Sequence, residues 1–155
     1  MKVIIGNDHS GVEMKNELVK FITSLGFEVC NVGTDDTKSV DYPVFAKKVC
    51  SKVLENKDNL AVAICGTGIG ISIACNKVKG IRAGLCHESF SAMMTRKHNN
   101  ANVLCLGARV TGIELAKDIV KTFLNTEFEG GRHQRRIDML AVSYTHLTLP
   151  TTERV

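Results

Sequence analysis

The feature that most constrains this chain is the regular alternation of short apolar runs with amphipathic segments. Five runs have the length of strands, and each is followed by a segment whose apolar residues recur at helical spacing. The runs are residues 2–6, 27–32, 60–65, 81–86 and 101–106. Runs that are apolar throughout are typical of strands buried on both faces of a parallel sheet. The pattern predicts a doubly wound α/β domain, with a five-stranded parallel sheet between two layers of helices.

Size and composition narrow the class of protein. The chain has 155 residues, of which 44% are hydrophobic, enough for one compact domain without metal or disulfide staples. It contains no run of about 18 apolar residues, so we expect no membrane span. The six cysteines lack zinc-site spacing and are typical of a reducing compartment, so we expect a cytoplasmic protein. A net charge of +4 with 5% aromatic residues disfavours nucleic acid as a partner.

The repeating pattern ends near residue 140. Residues 141–155 are rich in Thr, contain Pro150 and have no helical stripe of apolar residues. We therefore predict that residues 1–140 form the functional domain and that residues 141–155 are a disordered or extraneous tail.

The strongest chemical signal lies in residues 65–70, Cys-Gly-Thr-Gly-Ile-Gly. An apolar run leads directly into three alternating glycines and a helical segment, and glycine amides at a helix start can point together at an anion. The spacing fits neither the dinucleotide fingerprint, which needs a glycine at position 71, nor the phosphate loop, which needs Gly-Lys-Ser/Thr. What remains is a thiol, Cys65, beside a nest of amides, where it can serve as a base. The alternative is that Cys65 is one more buried core residue in an ordinary turn.

Polar residues near other strand ends are further candidates, because doubly wound domains bind ligands beyond the carboxyl ends of their strands. Asp8 and His9 follow the first apolar run, and Arg109 follows the last. His98 and Asn99 close a helical segment, and we expect them at the same ligand-facing edge. The alternative for both histidines is a capping or surface role.

A basic run near the end of the domain is a candidate phosphate site. If the run is helical, Arg132 and Arg136 share one face, and two guanidinium groups there suit a phosphate. The alternative is a solvated basic face. Tyr42, directly before Pro43, is compatible with packing or with substrate contact.

Five motifs together resemble one family. They are Asn-Asp-His-Ser-Gly at 7–11, Asp-Tyr-Pro at 41–43, the segment 65–70, Arg-Lys-His-Asn-Asn-Ala-Asn at 96–102 and Gly-Arg-His-Gln-Arg-Arg at 131–136. In this order they are similar to the ribose-5-phosphate isomerase B family, which includes isomerases of allose and galactose 6-phosphates. The resemblance covers residues 1–140.

The resemblance implies a single Rossmann-like three-layer domain and an aldose–ketose isomerisation that uses no metal and no cofactor. It also implies a homodimer, or a dimer of dimers, with active sites completed across the interface. Cys65 is then the base that removes the proton beside the carbonyl, Thr67 holds the enediolate oxygens, and His98 opens the furanose ring as an acid. The residues expected to bind substrate are Asp8, His9, Tyr42, Gly66, Gly68, Ile69, Gly70, Asn99, Arg109, Arg132 and Arg136.

The expected reaction is the interconversion of ribose 5-phosphate and ribulose 5-phosphate. Three alternatives stay open: an allose or galactose 6-phosphate isomerase, a non-catalytic sugar-phosphate-binding subunit, and a thiol redox switch in which Cys65 pairs with a cysteine such as Cys86.

Overall fold

A computed structural model describes the backbone of residues 1–151 and the side chains of residues 1–141. The strands are β1 (Lys2–Asn7), β2 (Glu28–Asn31), β3 (Leu60–Cys65), β4 (Ala83–Leu85) and β5 (Val103–Gly107). The helices are α1 (Val12–Ser24), α2 (Tyr42–Val53), α3 (Ile69–Asn76), α4 (Ser89–Asn99), α5 (Ile113–Leu124) and α6 (Arg132–Thr151). A 3₁₀ turn, His9–Gly11, links β1 to α1.

The sheet confirms the predicted architecture. Its five strands are all parallel and lie in the order β2-β1-β3-β5-β4. From β1 the chain moves to one edge of the sheet, and from β3 it moves towards the other. The winding therefore reverses between β1 and β3, and a crevice opens beyond their carboxyl ends.

The edge strands depart from the sequence prediction. Residues 81–86 were expected to form a strand, but β4 covers only Ala83–Leu85 because it pairs with β5 alone. β4 is half-buried at every residue and β2 is half-buried at its two central residues and exposed at its ends, whereas β3 and β5 are buried at every residue. The apolar runs thus predicted the existence of all five strands but not the exposure of the two at the edges.

Two apolar layers hold the helices against the sheet. On one face, α1, α4 and α5 pack around Leu18 and Phe123, both fully buried. On the other face, α2 and α3 pack around Val49 and Ile71. Successive residues of a strand point to opposite faces, and Ile4 of β1 accordingly belongs to the second layer while its neighbours belong to the first. The predicted helices on both faces are confirmed.

A fully buried charged side chain, Lys15 of α1, ties the segment after β2 to the crevice. Its Nζ donates to the carbonyl oxygen of Thr34 at 2.9 Å and to Asn31 Oδ1 at 3.3 Å, and it pairs with the carboxylate of Asp35. The Thr34 carbonyl also accepts from Asn7 Nδ2 at 3.0 Å, at the end of β1. The buried ammonium therefore fixes one wall of the crevice.

The last helix extends further than the sequence predicted. The backbone of α6 continues past residue 140 to Thr151, where no helix was expected. Once a helix has formed, each added residue contributes a hydrogen bond without a new nucleation cost. That residues 141–155 are extraneous stays a prediction. In the part of the chain that the structure describes, no helix has both the length and the hydropathy to cross a bilayer.

We predict that Asp35→Asn destabilises the fold at neutral pH. The hydrogen bond from Lys15 lowers the pKa of Asp35, so the carboxylate stabilises the native state at neutral pH and loses that contribution as pH falls through the folded-state value. The Asp35 side chain is 74% exposed, so water screens the pair, and loss of the counter-charge should lower the free energy of unfolding by about 1 kcal/mol at pH 7.

Urea unfolding of wild type and D35N across a pH series measures this effect. The difference should shrink as pH falls below 3.8, the ordinary aspartate value. Asp58→Asn, which alters an exposed carboxylate, is the matched control. Equal stability of D35N and D58N at pH 7 would contradict the prediction.

Candidate active site

The carboxyl end of β1 places the first two predicted residues in the crevice. Asp8 donates its backbone N–H to the carbonyl of Ile64 in β3 at 3.1 Å. Its Oδ1 accepts from the amide of Ser10 at 3.0 Å and from the Ser10 hydroxyl at 2.5 Å, so the carboxylate is oriented and nearly buried. His9 accepts at Nδ1 from the amide of Val40 at 3.1 Å. In the neutral ring, Nε2 is therefore the donor.

The predicted thiol lies at the end of the adjacent strand. Cys65 closes β3 and is 4% exposed, with one side packed in the α2–α3 layer. Its Sγ accepts a hydrogen bond from the amide of Gly68 at 3.2 Å. Gly68 is the N-cap of α3, so this donor belongs to the positive end of a helix. The sulfur thus lies at the boundary between the apolar layer and a turn whose dipoles favour negative charge.

Two glycines of this segment lie close to neighbouring side chains. Gly68 has a φ of +79°, and a Cβ there would lie 2.5 Å from Leu85 Cδ1. A Cβ on Gly70 would lie 2.7 Å from the ring of Tyr42, so this ring lies against the turn. Tyr42 is 39% exposed and begins α2. The glycines let the turn pass close to both neighbours, and Tyr42 lies beside the turn; its contact with substrate stays a prediction.

Arg109 reaches the same turn from the end of β5. Its backbone N–H donates to the carbonyl of Gly66 at 2.9 Å. Its Nη1 lies 3.3 Å from the point where a Gly66 Cβ would stand, and Ser10 Oγ lies 3.7 Å from that point. Thr67 Oγ1 accepts from the amide of Ile69 at 3.2 Å and thereby closes the first turn of α3. The predicted residues that the crevice brings together are Asp8, His9, Tyr42, Cys65, Gly66, Thr67, Gly68, Ile69, Gly70 and Arg109.

The expectation that His98 and Asn99 lie at the carboxyl ends of the strands, beside Cys65, is wrong. They end α4, which leads into the amino end of β5. In a parallel sheet, residues that precede a strand lie at the amino ends of the strands, opposite the carboxyl ends that form the crevice. Asn102 marks this amino edge, since its carbonyl accepts from Ala61 near the start of β3 at 2.9 Å. Cys65 stands at the other end of this six-residue strand, about 17 Å away along the sheet.

The two predicted phosphate arginines lie with His98 instead of with Cys65. α6 begins at Arg132 and packs against α4. The segment is helical, which is the condition under which Arg132 and Arg136 share one face, and both side chains are exposed. The predicted site is therefore divided in this chain into a crevice cluster around Cys65 and an amino-edge cluster made of His98, Asn99, Arg132 and Arg136.

Two further residues, Glu129 and His133, belong to the amino-edge cluster. The rings of His98 and His133 stack with centroids 4.1 Å apart and an interplanar angle of 13°. Glu129 Oε1 lies 3.7 Å from His98 Nε2 and 3.5 Å from His133 Nε2. Burial lowers the pKa of His133, and the positive charges of His98 and Arg132 lower it further against the opposing charge of Glu129. Within the side chains of residues 1–141, these three residues form the one group whose geometry suits a metal ion.

A cavity of about 580 Å³ adjoins the amino-edge cluster, but it does not reach Cys65. Its walls come from the segment between α3 and β4, from the end of α4 and from α6, and include Arg82, Asn99, Gln134, Ile137 and Asp138. The predicted thiol and this cavity are therefore separate features of the chain.

Lys15 and Glu129 shape the site but were not predicted from the sequence. The signal for Lys15 was present, because Leu18 and Ile22 follow it at helical spacing on the inner face. Glu129 carried no periodic signal, since it lies in an irregular segment between α5 and α6.

Cys86 does not fit the role of a disulfide partner for Cys65. Cys86 belongs to the apolar layer on the opposite face of the sheet. Burial, with the charge of Glu88, raises the pKa of Cys86 to about 11, which makes it unreactive as a nucleophile at neutral pH.

Comparison with known proteins agrees with this geometry. The family model for ribose/galactose isomerases matches residues 3–140. A protein from Bacillus subtilis named putative sugar phosphate isomerase YwlF is 49% identical over 91% of this chain and 95% of its own length. Ribose-5-phosphate isomerase B from Escherichia coli is 45% identical over 90% of this chain and 93% of its own. The structure of ribose-5-phosphate isomerase B from Clostridium thermocellum superposes with a TM-score of 0.92 at 48% identity, covering 95% of this chain and 99% of that one.

The matched range contains the β1–β3 crevice, the Cys65 turn and the amino-edge cluster, and the superposition extends over the whole domain. On this evidence, the chain belongs to the ribose/galactose isomerase family of sugar-phosphate isomerases.

Proposed function

We propose that this protein interconverts D-ribose 5-phosphate and D-ribulose 5-phosphate through an enediolate, with Cys65 as the base. The observation that carries the proposal is the contact between Cys65 Sγ and the amide of Gly68 in a turn that Asp8 and Arg109 also border. The E. coli relative, named for this reaction, supports the choice of substrate.

The crevice cluster carries the proton transfer. Cys65 takes the proton from C2 of the open-chain aldose and returns it to C1, while a hydroxyl proton passes from O2 to O1. The reaction is balanced without an external oxidant or reductant. Negative charge develops on the sugar oxygens, where Thr67 and the amides of Gly66 and Gly70 are the proposed donors. Loss of one such donor typically costs about a hundredfold or more in rate.

Asp8, His9 and Tyr42 position the sugar in this proposal. Asp8 is oriented by both donors of Ser10, and His9 keeps a donor at Nε2 because Nδ1 is engaged. The ring of Tyr42 limits the crevice beside Gly70. A hydroxylated substrate needs such paired acceptors and donors, whose own orientations are already fixed.

The amino-edge cluster is supplied to each crevice by the partner of a homodimer. Within one chain, His98 and Cys65 lie at opposite edges of the sheet, too far apart to act on one pentose. Ile69 and Ile73 expose more than half of their side chains on α3, directly after the Cys65 turn, and offer an apolar face for a second copy. In a two-fold dimer the same contact forms twice. His98 then opens the furanose ring, Asn99 assists the enediolate, and Arg132 and Arg136 bind the phosphate.

We predict that Cys65→Ala abolishes isomerisation but not ligand binding. A well-placed general base contributes about 10²–10⁴ in rate, so kcat with ribose 5-phosphate should fall at least a hundredfold. Binding of ribose 5-phosphate, measured by calorimetry, should persist because the phosphate contacts are untouched. Cys30→Ser, at a half-buried cysteine outside the crevice, is the control. Turnover in C65A within tenfold of wild type would remove Cys65 as the base. If C65A no longer bound ribose 5-phosphate, Cys65 would instead be a residue that binds substrate.

A mixed-dimer experiment tests the division of the site. C65A and His98→Asn homodimers should each be inactive. A C65A/H98N heterodimer carries one site in which both groups are intact, so co-expressed chains that pair at random should recover about one quarter of wild-type activity. If no activity returns although heterodimers form, as judged with differently tagged chains, the two clusters do not combine across an interface.

Substrate preference distinguishes the pentose isomerase from the hexose alternative. One additional carbon in a pocket is worth about 1–3 kcal/mol, so we predict that kcat/KM for ribose 5-phosphate exceeds that for allose 6-phosphate by about tenfold or more. Steady-state assays on both sugars give this ratio. An inverted ratio would assign the protein to the 6-phosphate isomerases, and no turnover of either sugar would favour a binding subunit.

A further inference from the structure

The three side chains His98, Glu129 and His133 have a geometry that the proposed isomerisation does not use in full. Glu129 Oε1 lies 3.7 Å from His98 Nε2 and 3.5 Å from His133 Nε2, and the ligand atoms of the three residues all lie within 4.8 Å of one another. Two ligand atoms of a tetrahedral Zn²⁺, each about 2.1 Å from the ion, stand about 3.4 Å apart. Both Glu–His distances are therefore already close to those of a zinc site.

We propose that His98, Glu129 and His133 bind a divalent transition-metal ion, with Zn²⁺ as the best fit. Two imidazoles and one carboxylate form a common ligand set for zinc sites that keep an open position. Neutral imidazole suits Zn²⁺, Cu²⁺ and Ni²⁺, whereas Mg²⁺ and Ca²⁺ prefer oxygen ligands.

The backbone around the cluster is built to hold these ligands. The amide of Glu129 donates to the carbonyl of Lys97 at 3.1 Å, which anchors the carboxylate beside the last turn of α4. Gly130 and Gly131 have φ values of +72° and +59° and turn the chain into α6. His133 then follows with its amide donating to the carbonyl of Gly130 at 3.2 Å. The turn at Gly130 and Gly131 therefore brings the side chains of Glu129 and His133 close together.

The cluster has one buried side chain and two that are partly exposed. The His133 side chain is 7% exposed, whereas His98 and Glu129 are 41% and 50% exposed. Metal binding requires the His98 ring to turn out of its stack with His133, so that both Nε2 atoms face one ion, and its exposed side leaves room for that rotation. The same exposure leaves the fourth coordination position to water.

Nearby positive charge limits the affinity. Lys97, Arg132 and Arg136 lie on the segments that hold the cluster, and they repel a dication. We therefore expect a reversible site instead of a structural zinc that the fold requires. Its consequence rests on the proposed function: an ion bound to His98 removes the acid that opens the sugar ring, so Zn²⁺ inhibits isomerisation until a chelator removes it.

The test is titration of the reduced, metal-free protein with Zn²⁺ by calorimetry, together with Co²⁺ spectroscopy. Wild type should bind one ion per chain, and Glu129→Gln should weaken binding at least about tenfold, since losing even an outer partner of a metal ligand costs about 10–100-fold. Bound Co²⁺ should give the visible bands of a tetrahedral ion without the near-ultraviolet band of a cobalt–thiolate bond. Glu127→Gln, which changes an exposed carboxylate two residues away, should bind as wild type does.

Two further variants keep the result interpretable. Cys65→Ala should retain Zn²⁺ binding, because no thiol belongs to the site. His133→Asn should lose binding while its circular dichroism spectrum matches that of wild type, and E129Q gives the same information if H133N does not fold. Equal affinity of wild type and E129Q, or binding that depends on Cys65, would overturn the proposal.

Failure of the metal site and failure of the proposed function are distinguishable. Zn²⁺ binding that requires Glu129 in a protein without isomerase turnover supports the metal site and rejects the isomerase. Turnover that is as sensitive to Zn²⁺ in E129Q as in wild type rejects the metal site and leaves the isomerase intact.

Discussion

The pairing of β1 with β3 is the constraint on which the rest of the site depends. These neighbouring strands send the chain to opposite edges of the sheet, so no connection covers their carboxyl ends. The hydrogen bond from Asp8 to the carbonyl of Ile64 continues the pairing one step past the strand. The carboxylate that follows β1 and the thiol that ends β3 are thereby held side by side. Every residue of the crevice cluster is placed relative to this junction.

Periodicity predicted the fold because each apolar run and each helix face had to be buried. The five strands, the parallel sheet and the two helical layers all follow from that requirement. The expected position of His98 was wrong because polar residues before and after the strands were grouped together. In a parallel sheet, a helix that leads into a strand ends at the amino end of that strand. The direction of β5 decides the matter: its amino end lies where α4 finishes, opposite Cys65. The helical spacing put Lys15 on the inner face of α1, but a hydrophobic pattern alone does not predict that a charged residue on that face is buried.

The polar contacts of the structure explain the placement of charged and polar side chains that the hydrophobic pattern did not predict. Lys15 can be fully buried because Thr34, Asn31 and Asp35 offer it oxygen partners at the end of β2, and a buried ammonium without such partners would be very costly. The same partners fix the wall of the crevice beside Asn7. The resemblance in the motifs assigned roles to Asp8 and His9, but it gave no physical reason for their fixed orientation. That reason lies in the donors of Ser10 and Val40.

The position of Cys65 also explains why a thiol suits this place better than a carboxylate. At 4% exposure, with the α2–α3 layer on one side, a permanent charge would lack water and would face apolar atoms. A thiol is tolerated in such surroundings because it packs as a small hydrophobic group when neutral. In the proposed reaction it carries charge only for the moment of proton transfer, and the amide of Gly68 and the start of α3 face it. The strand end thus combines a dry environment with the dipoles that a transient anion needs, and the proposed proton transfer requires both.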